Sequence, residues 1–287
     1  MTASARGILV GLIGAGIQAS RSPALHQTEA AALGVPYLYR LIDLDRLGVG
    51  AEALPELLSA AERLGFDGLN ITHPCKQAVT PLLDELSQDA TAIGAVNTVL
   101  LREGRRIGHN TDWSGFAEGF RRGLPAAAAA RVVQLGWGGA CVAVAHAMLT
   151  CGTVDLVLHD VAPARAEALA GRLCAHFGAG RARVVAELEQ AVAAADGVIN
   201  ATPIGMAGYP GLPLPAEWLR PALWVAEVVY FPLETALLRA ARAAGCRTLD
   251  GGRMAVFQAV EAFRLFSGRT PDPDRMLRHF AAMGPST

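Results

Sequence analysis

The chain has 287 residues, 52% hydrophobic and 18% charged, so it carries enough apolar side chain for two packed cores and lies far from the composition of a disordered chain. Lys plus Arg number 25 against 26 Asp plus Glu, and the resulting formal charge of −1 leaves no overall electrostatic footprint for nucleic acid or an anionic membrane. Five scattered cysteines without a CxxC pair and seven histidines without HxxxH or HExxH spacing argue against a disulfide framework and a metal site, and suit a reducing cytoplasm.

From Gly7 to about Gly108, short apolar strands alternate with helical segments, at residues 8–13, 23–33, 37–42, 54–64, 68–71 and 79–86, which is the pattern of an α/β domain. Arg6 ahead of the apolar run 7–17 imitates an export signal, but the run reads equally well as an opening core strand. A helix-like stretch at 111–122 is followed by Gly123-Leu124-Pro125 and the alanine run 126–130, which mark a change of unit. From 131 to about 250 a second alternation follows, at 132–135, 142–149, 154–159, 163–177, 197–200 and 224–229, and this is a doubly wound pattern. The uncharged run 132–154 has a membrane-spanning length. Gln134, His146 and the Gly136, Gly138, Gly139 cluster instead suit a strand, a tight turn and a buried helix. Residues 254–266 and 273–283 are helical and return to the first domain.

Two glycine loops match a dinucleotide fingerprint. Gly14-Ala15-Gly16-Ile17-Gln18-Ala19 follows a strand and has Asp43 at a suitable distance, but Pro23 stands where the second turn of the required helix would be. Pro23 suits instead the first position of a helix capped by Ser22. Gly136-Trp137-Gly138-Gly139-Ala140-Cys141 lies between a strand and an unbroken helix, the context the fingerprint needs. The next strand ends at His159-Asp160, where a carboxylate accepts hydrogen bonds from ribose hydroxyls and repels a 2′-phosphate, so NAD is expected over NADP. Arg165 nearby reads either as a phosphate ligand or as a solvated helix residue.

Three small polar segments interrupt the apolar pattern of the first domain: Asn70-Ile71-Thr72-His73-Pro74-Cys75-Lys76, Gly94-Ala95-Val96-Asn97-Thr98 and Asn110-Thr111-Asp112. Taken singly, Asn97 and Asn110 read as turn residues and Asp112 as a helix cap. Together with Ser20-Arg21-Ser22-Pro23, Asn200-Ala201-Thr202-Pro203-Ile204-Gly205-Met206 and Gln258, they resemble the ordered signature of the shikimate dehydrogenase family over nearly the whole chain. The NAD-dependent quinate/shikimate branch is the most similar subgroup.

The resemblance implies an N-terminal substrate domain (1–110 with 253–287) and a Rossmann-type dinucleotide domain (111–252), with C-terminal helices packed back on the first. It implies a hydride exchanged between a nicotinamide and a ring hydroxyl of shikimate or quinate. Lys76 would exchange a proton with the reacting oxygen, because a carbinol that loses hydride must also lose its hydroxyl proton, and Asp112 would hold and polarise that oxygen. Ser20 and Ser22 would bind the ring carboxylate, while Thr72, Asn97 and Gln258 would hold ring hydroxyls. Tyr230 would line the same site or else fill a core. Gly136, Trp137, Gly138, Gly139, Ala140, Asp160, Arg165, Thr202 and Gly251 would serve the cofactor, Gly251 reading alternatively as a turn glycine with positive φ.

Three positions depart from the family pattern: Trp137 stands where alanine is usual, Glu227 where aspartate is common, and Ser22 where some quinate-using relatives carry threonine. Cys75 reads as a packing residue rather than a nucleophile. The rival readings are a sensor that binds the ring acid without turnover and a dehydrogenase of aminoshikimate or another cyclic polyol acid. A monomer or homodimer is expected.

Overall fold

The computed structural model of the protein describes residues 7–136 and 140–284. They fall into two compact units, divided between Thr111 and Asp112 and again between Phe257 and Gln258.

The first unit opens with β1 (Ile8–Gly14), α1 (Ser22–Ala32) and β2 (Tyr37–Asp43). Pro23 stands in the first turn of α1, where its missing N–H breaks no helical bond. The Asp43 carboxylate accepts from the Asp45 N–H (3.2 Å) and so caps the short α2 (Leu44–Leu47). Then come α3 (Leu54–Arg63), β3 (Gly68–Ile71), α4 (Cys75–Ala78), β4 (Glu85–Leu86) and α5 (Gln88–Ile93). The hairpin of β5 (Thr98–Arg102) and β6 (Arg105–His109) follows. Residues 79–86, read from sequence as one segment, hold a single 3-10 turn (Thr80–Leu82) and then β4, since Pro81 lacks the N–H a longer helix would need.

The sheet order is β2-β1-β3-β5-β6-β4, with β1 parallel to β2 and β3, and β5 antiparallel to both its neighbours. Alternate residues of β1 serve opposite faces. Val10 and Leu12 pack with Tyr39, Leu100 and Phe266, whereas Ile13 packs with Leu58, Ile71 and Val99.

The second unit begins with α6 (Asp112–Gly123), β7 (Arg131–Leu135), α7 (Cys141–Thr150), β8 (Asp155–His159) and α8 (Pro163–Phe177). It continues through β9 (Ala182–Val184), α9 (Leu188–Ala194), β10 (Gly197–Asn200), β11 (Trp224–Glu227), α10 (Ala236–Ala243) and β12 (Arg247–Leu249). The stretch 124–130 is the loop that joins α6 to β7 within this unit. All six strands are parallel in the order β12-β11-β10-β7-β8-β9. Numbered within the unit and taken from β9, this is 3-2-1-4-5-6, the Rossmann-type doubly wound order, whose direction reverses between β7 and β10. Every residue of α7 from Cys141 to Leu149 is buried, which explains its uncharged sequence without a membrane.

The second division falls inside α11 (Gly251–Ser267), and the remainder of that helix together with α12 (Pro273–Ala282) completes the first unit. Ala262 and Phe266 enter the Val10 core, and the Arg102 guanidinium donates to the carbonyls of Leu265 (2.6 Å) and Phe266 (3.3 Å) at the end of α11. Arg275 latches α12 to α1: its Nε and Nη2 donate to the two oxygens of the fully buried Glu29 carboxylate at 2.8 and 2.6 Å. Among the described residues no helix is long and apolar enough to cross a membrane.

Candidate functional site

In the first unit Ser20, Thr72 and Asn97 lie in the segments after β1, after β3 and before β5, at one end of the mixed sheet. Ser20 lies in the turn from β1 to α1, where its Oγ accepts from the Ser22 N–H at 3.3 Å. Ser22, expected as the cap of α1, is instead its first residue, and Arg21 holds the cap position. Thr72 follows β3 and donates its N–H to the Ile13 carbonyl (2.9 Å), which draws it against the end of β1. Lys76 is half-buried on α4, and its carbonyl accepts from the Val96 N–H (2.9 Å), so the lysine segment and the 94–98 segment are fastened together. Burial pushes the neighbouring Cys75 thiol up, away from thiolate reactivity, in keeping with a packing role.

A buried hydrogen-bond chain runs beneath these residues. The Tyr39 hydroxyl donates to Asn70 Oδ1 (2.9 Å), Asn70 Nδ2 donates to Thr98 Oγ1 (3.0 Å), and Thr98 Oγ1 donates to Asn97 Oδ1 (3.0 Å). Asn97 then reaches Thr111, accepting from its N–H (2.7 Å) and donating Nδ2 to its hydroxyl (2.9 Å). Asn97 is thus 3% exposed and engaged by its own chain, an arrangement that fixes the segment leading to Asp112. Asn110 donates to the Ala95 carbonyl (3.0 Å) in the same way. Tyr39 and Thr98 were not singled out from sequence, since an aromatic or β-branched residue in a strand reads as ordinary core. Gln258 lies half-buried on the first-unit part of α11.

The rejected glycine loop is a self-contained turn. The Asp43 carboxylate accepts from Gln18 Nε2 (2.7 Å) and the Gly16 N–H (3.1 Å), and the Gln18 bond first among these holds its carboxyl below the usual range. The acid expected to meet a ribose in a true fingerprint is therefore committed to its own loop.

In the second unit the candidate cofactor residues lie at the carboxyl ends of the parallel strands. Gly136 directly follows β7 with φ +96°, and a Cβ there would stand 2.9 Å from both the Thr202 N and its Cγ2. Only glycine meets both demands, and the result is bare backbone at the point where strand order reverses, which fits a pyrophosphate. Trp137, Gly138 and Gly139 lie outside the described residues. Ala140 precedes α7, and Gln134 Nε2 donates to the Cys141 carbonyl (2.9 Å), tying the start of the helix back to β7.

Asp160 follows β8, and its Oδ1 accepts from the Ala162 N–H at 2.8 Å, which orients the carboxylate. Arg165 is exposed on α8. Thr202 donates its hydroxyl to Asn200 Oδ1 (2.7 Å) and accepts from the Ile204 N–H (3.1 Å), so the loop after β10 is knitted to itself. Gly251 does not have positive φ; a Cβ there would strike the carbonyls of Val228 (2.6 Å) and Val229 (2.5 Å), so close packing of its own chain requires the glycine. Tyr230 is 46% exposed, which rules out the core reading, and Asp112, 6% exposed, is the first residue of α6.

A family model described as the shikimate dehydrogenase substrate binding domain matches residues 12–99. A shikimate dehydrogenase (NADP(+)) of Streptomyces avermitilis is 62% identical over 277 residues, covering 96% of this chain and 95% of the relative. A quinate/shikimate dehydrogenase (NAD(+)) of Corynebacterium efficiens is 51% identical over 279 residues, covering 96% and 98%. Among solved structures, quinate dehydrogenase from Corynebacterium glutamicum in complex with NAD superposes with a TM-score of 0.91 at 51% identity, covering 96% of this chain and 99% of that one.

Proposed function

The chain belongs to the shikimate dehydrogenase family, and we propose that it transfers a hydride between a nicotinamide cofactor and a ring hydroxyl of shikimate or quinate, interconverting each with its 3-dehydro form. The observation that carries this reading is the match along nearly the whole chain to relatives named for that activity. The bare backbone at Gly136 supports it from the side of the cofactor.

A bound nicotinamide supplies the acceptor or donor of the hydride. The proton falls to the protein: as the carbinol C–H bond is lost and C=O forms, Lys76 takes the hydroxyl proton, and Asp112 holds and polarises that oxygen. Ser20 and Ser22 donate to the ring carboxylate, and Thr72 and Gln258 hold ring hydroxyls, with Tyr230 alongside. The bonds from Asn97 to Thr98 and Thr111 favour a part for it in fixing the segment before Asp112 as well as in meeting a ring hydroxyl.

For the cofactor we favour NAD over NADP. Asp160, held by the Ala162 N–H at the end of β8, offers ribose hydroxyls an acceptor and repels a 2′-phosphate. Arg165 is the residue that would serve that phosphate in the competing choice.

The test is the initial rate of NAD and of NADP reduction with shikimate and with quinate, beside Lys76→Ala. Turnover with NAD is expected, with kcat lowered roughly a hundredfold or more in the variant. Turnover confined to NADP would overturn the cofactor choice. A folded protein that reduces neither dinucleotide with either acid would overturn the function and leave the sensing alternative.

A further inference from the structure

The second unit holds a buried carboxylate that the proposed chemistry does not use. Glu227, the last residue of β11, is 1% exposed. Its Oε1 accepts from Asn200 Nδ2 (2.9 Å) and the Val229 N–H (3.0 Å), and its Oε2 from Asn200 Nδ2 (3.1 Å) and the Thr235 hydroxyl (3.0 Å). One side chain thus joins the end of β10, the segment leaving β11 and the cap of α10.

The connection runs on toward the glycine turn. Asn200 Nδ2 also donates to the Ile204 carbonyl (2.9 Å), while Asn200 Oδ1 accepts from the N–H (3.1 Å) and the hydroxyl (2.7 Å) of Thr202. The Thr202 backbone is the wall against which Gly136 has no room for a side chain. On its other side Glu227 holds Val229, whose carbonyl is packed against Gly251. Burial pushes the Glu227 carboxyl up to about 7 against the pull of these hydrogen bonds, and among the described residues no cation pairs with it. An apolar residue of similar size would avoid that cost and could not hold the three segments.

We propose that Glu227 is a positioning residue for the dinucleotide, setting through Asn200 and Thr202 the loop that walls the Gly136 turn, and through Val229 the segment that meets Gly251. The inference rests on the reading of the second unit as the cofactor's.

The test measures dissociation constants of NADH and NADPH by fluorescence titration of the full chain, beside cofactor and shikimate KM values, for the wild type, Glu227→Gln and Glu227→Asp. Glutamine sets an amide NH2 among donors. The expected result for the glutamine variant is a cofactor Kd and KM raised tenfold or more with shikimate KM within twofold, and for the aspartate variant, which keeps a carboxyl on a shorter arm, a Kd between two- and tenfold above wild type. Should circular dichroism show the glutamine variant unfolded, the aspartate variant decides by the same range. A Kd within twofold of wild type in the folded variants, or equal losses for cofactor and shikimate, would overturn the positioning role. A wild type that binds neither dinucleotide would overturn the cofactor reading and this inference together; a wild type that binds, with unaltered variants, would overturn the inference alone.

Discussion

His26 and Glu227 are buried titratable side chains, one in each unit, and burial acts on them in opposite senses. Burial lowers His26, packed against Tyr39, Phe263 and Phe266, to about 3, and raises the Glu227 carboxyl from 4.5 to about 7. As pH falls from about 6.5 toward 3, unfolded chain takes up a proton on His26 that the native first unit refuses, so that unit loses stability toward acid. As pH rises from about 4.5 to 7, the native second unit keeps a proton on Glu227 that unfolded chain has released, so that unit loses stability toward neutrality, by up to about 3 kcal/mol. Amide exchange resolved by unit, corrected for intrinsic rates and followed from pH 4.5 to 7.5, is expected to show the second unit's core loosening as pH rises, and Glu227→Gln to abolish that slope. An unchanged slope in the variant would refute the assignment to Glu227. The polar segments holding Lys76, Asn97 and Asp112 stood out in sequence because they break an apolar pattern, while the parts proposed for those residues came from the family resemblance alone. Tyr39 did not stand out, because its meaning lies in a hydroxyl bond to Asn70, 31 positions away, which no local pattern encodes.

Elements were legible where a strong period ran between clear end signals, as in α8, whose range 163–177 was expected as observed. The β5–β6 hairpin was not legible, and its turn explains why. Arg102 pairs with Arg105 across Glu103 and Gly104, which have φ of +53° and +71°. A two-residue turn with positive φ at both positions announces itself through Asn-Gly or Asp-Gly, and glutamate in the first place hides it. At the same scale, α12 is held by an ion pair as well as by its buried Met276 and Phe280. Arg275→Met leaves the Glu29 carboxylate, with 0% of its side chain exposed, without its cation, and should lower the midpoint of the first unit's urea denaturation. The double variant Glu29→Gln with Arg275→Met should recover part of that loss. A single variant as stable as wild type would show that the latch contributes nothing.

For the whole molecule, the βα alternation of the second unit was enough to suggest a doubly wound sheet, because parallel strands joined by crossover helices leave that trace in sequence. The mixed order of the first unit was hidden, since nothing local distinguishes β5, antiparallel to β3, from another parallel strand. The two units also differ in continuity. The second runs unbroken from Asp112 to Phe257, whereas the first needs residues beyond Gln258 to close its core. Residues 112–257 expressed alone should therefore fold cooperatively and bind NADH, while residues 1–111 alone should remain without a cooperative transition. A folded 1–111 fragment would contradict this account.

The same discontinuity bears on the order of events at the ribosome. Phe266 and Arg275 leave the exit tunnel after the whole of the second unit, so β1 and its neighbours, though synthesised before that unit, wait with one face of their sheet uncovered until the helices beyond Gln258 emerge. The second unit, made in the middle, has all its residues in hand before then. Nascent chains should therefore acquire structure in the second unit before the first, and a stop codon placed just after Phe257 should spoil the fold of residues 7–111.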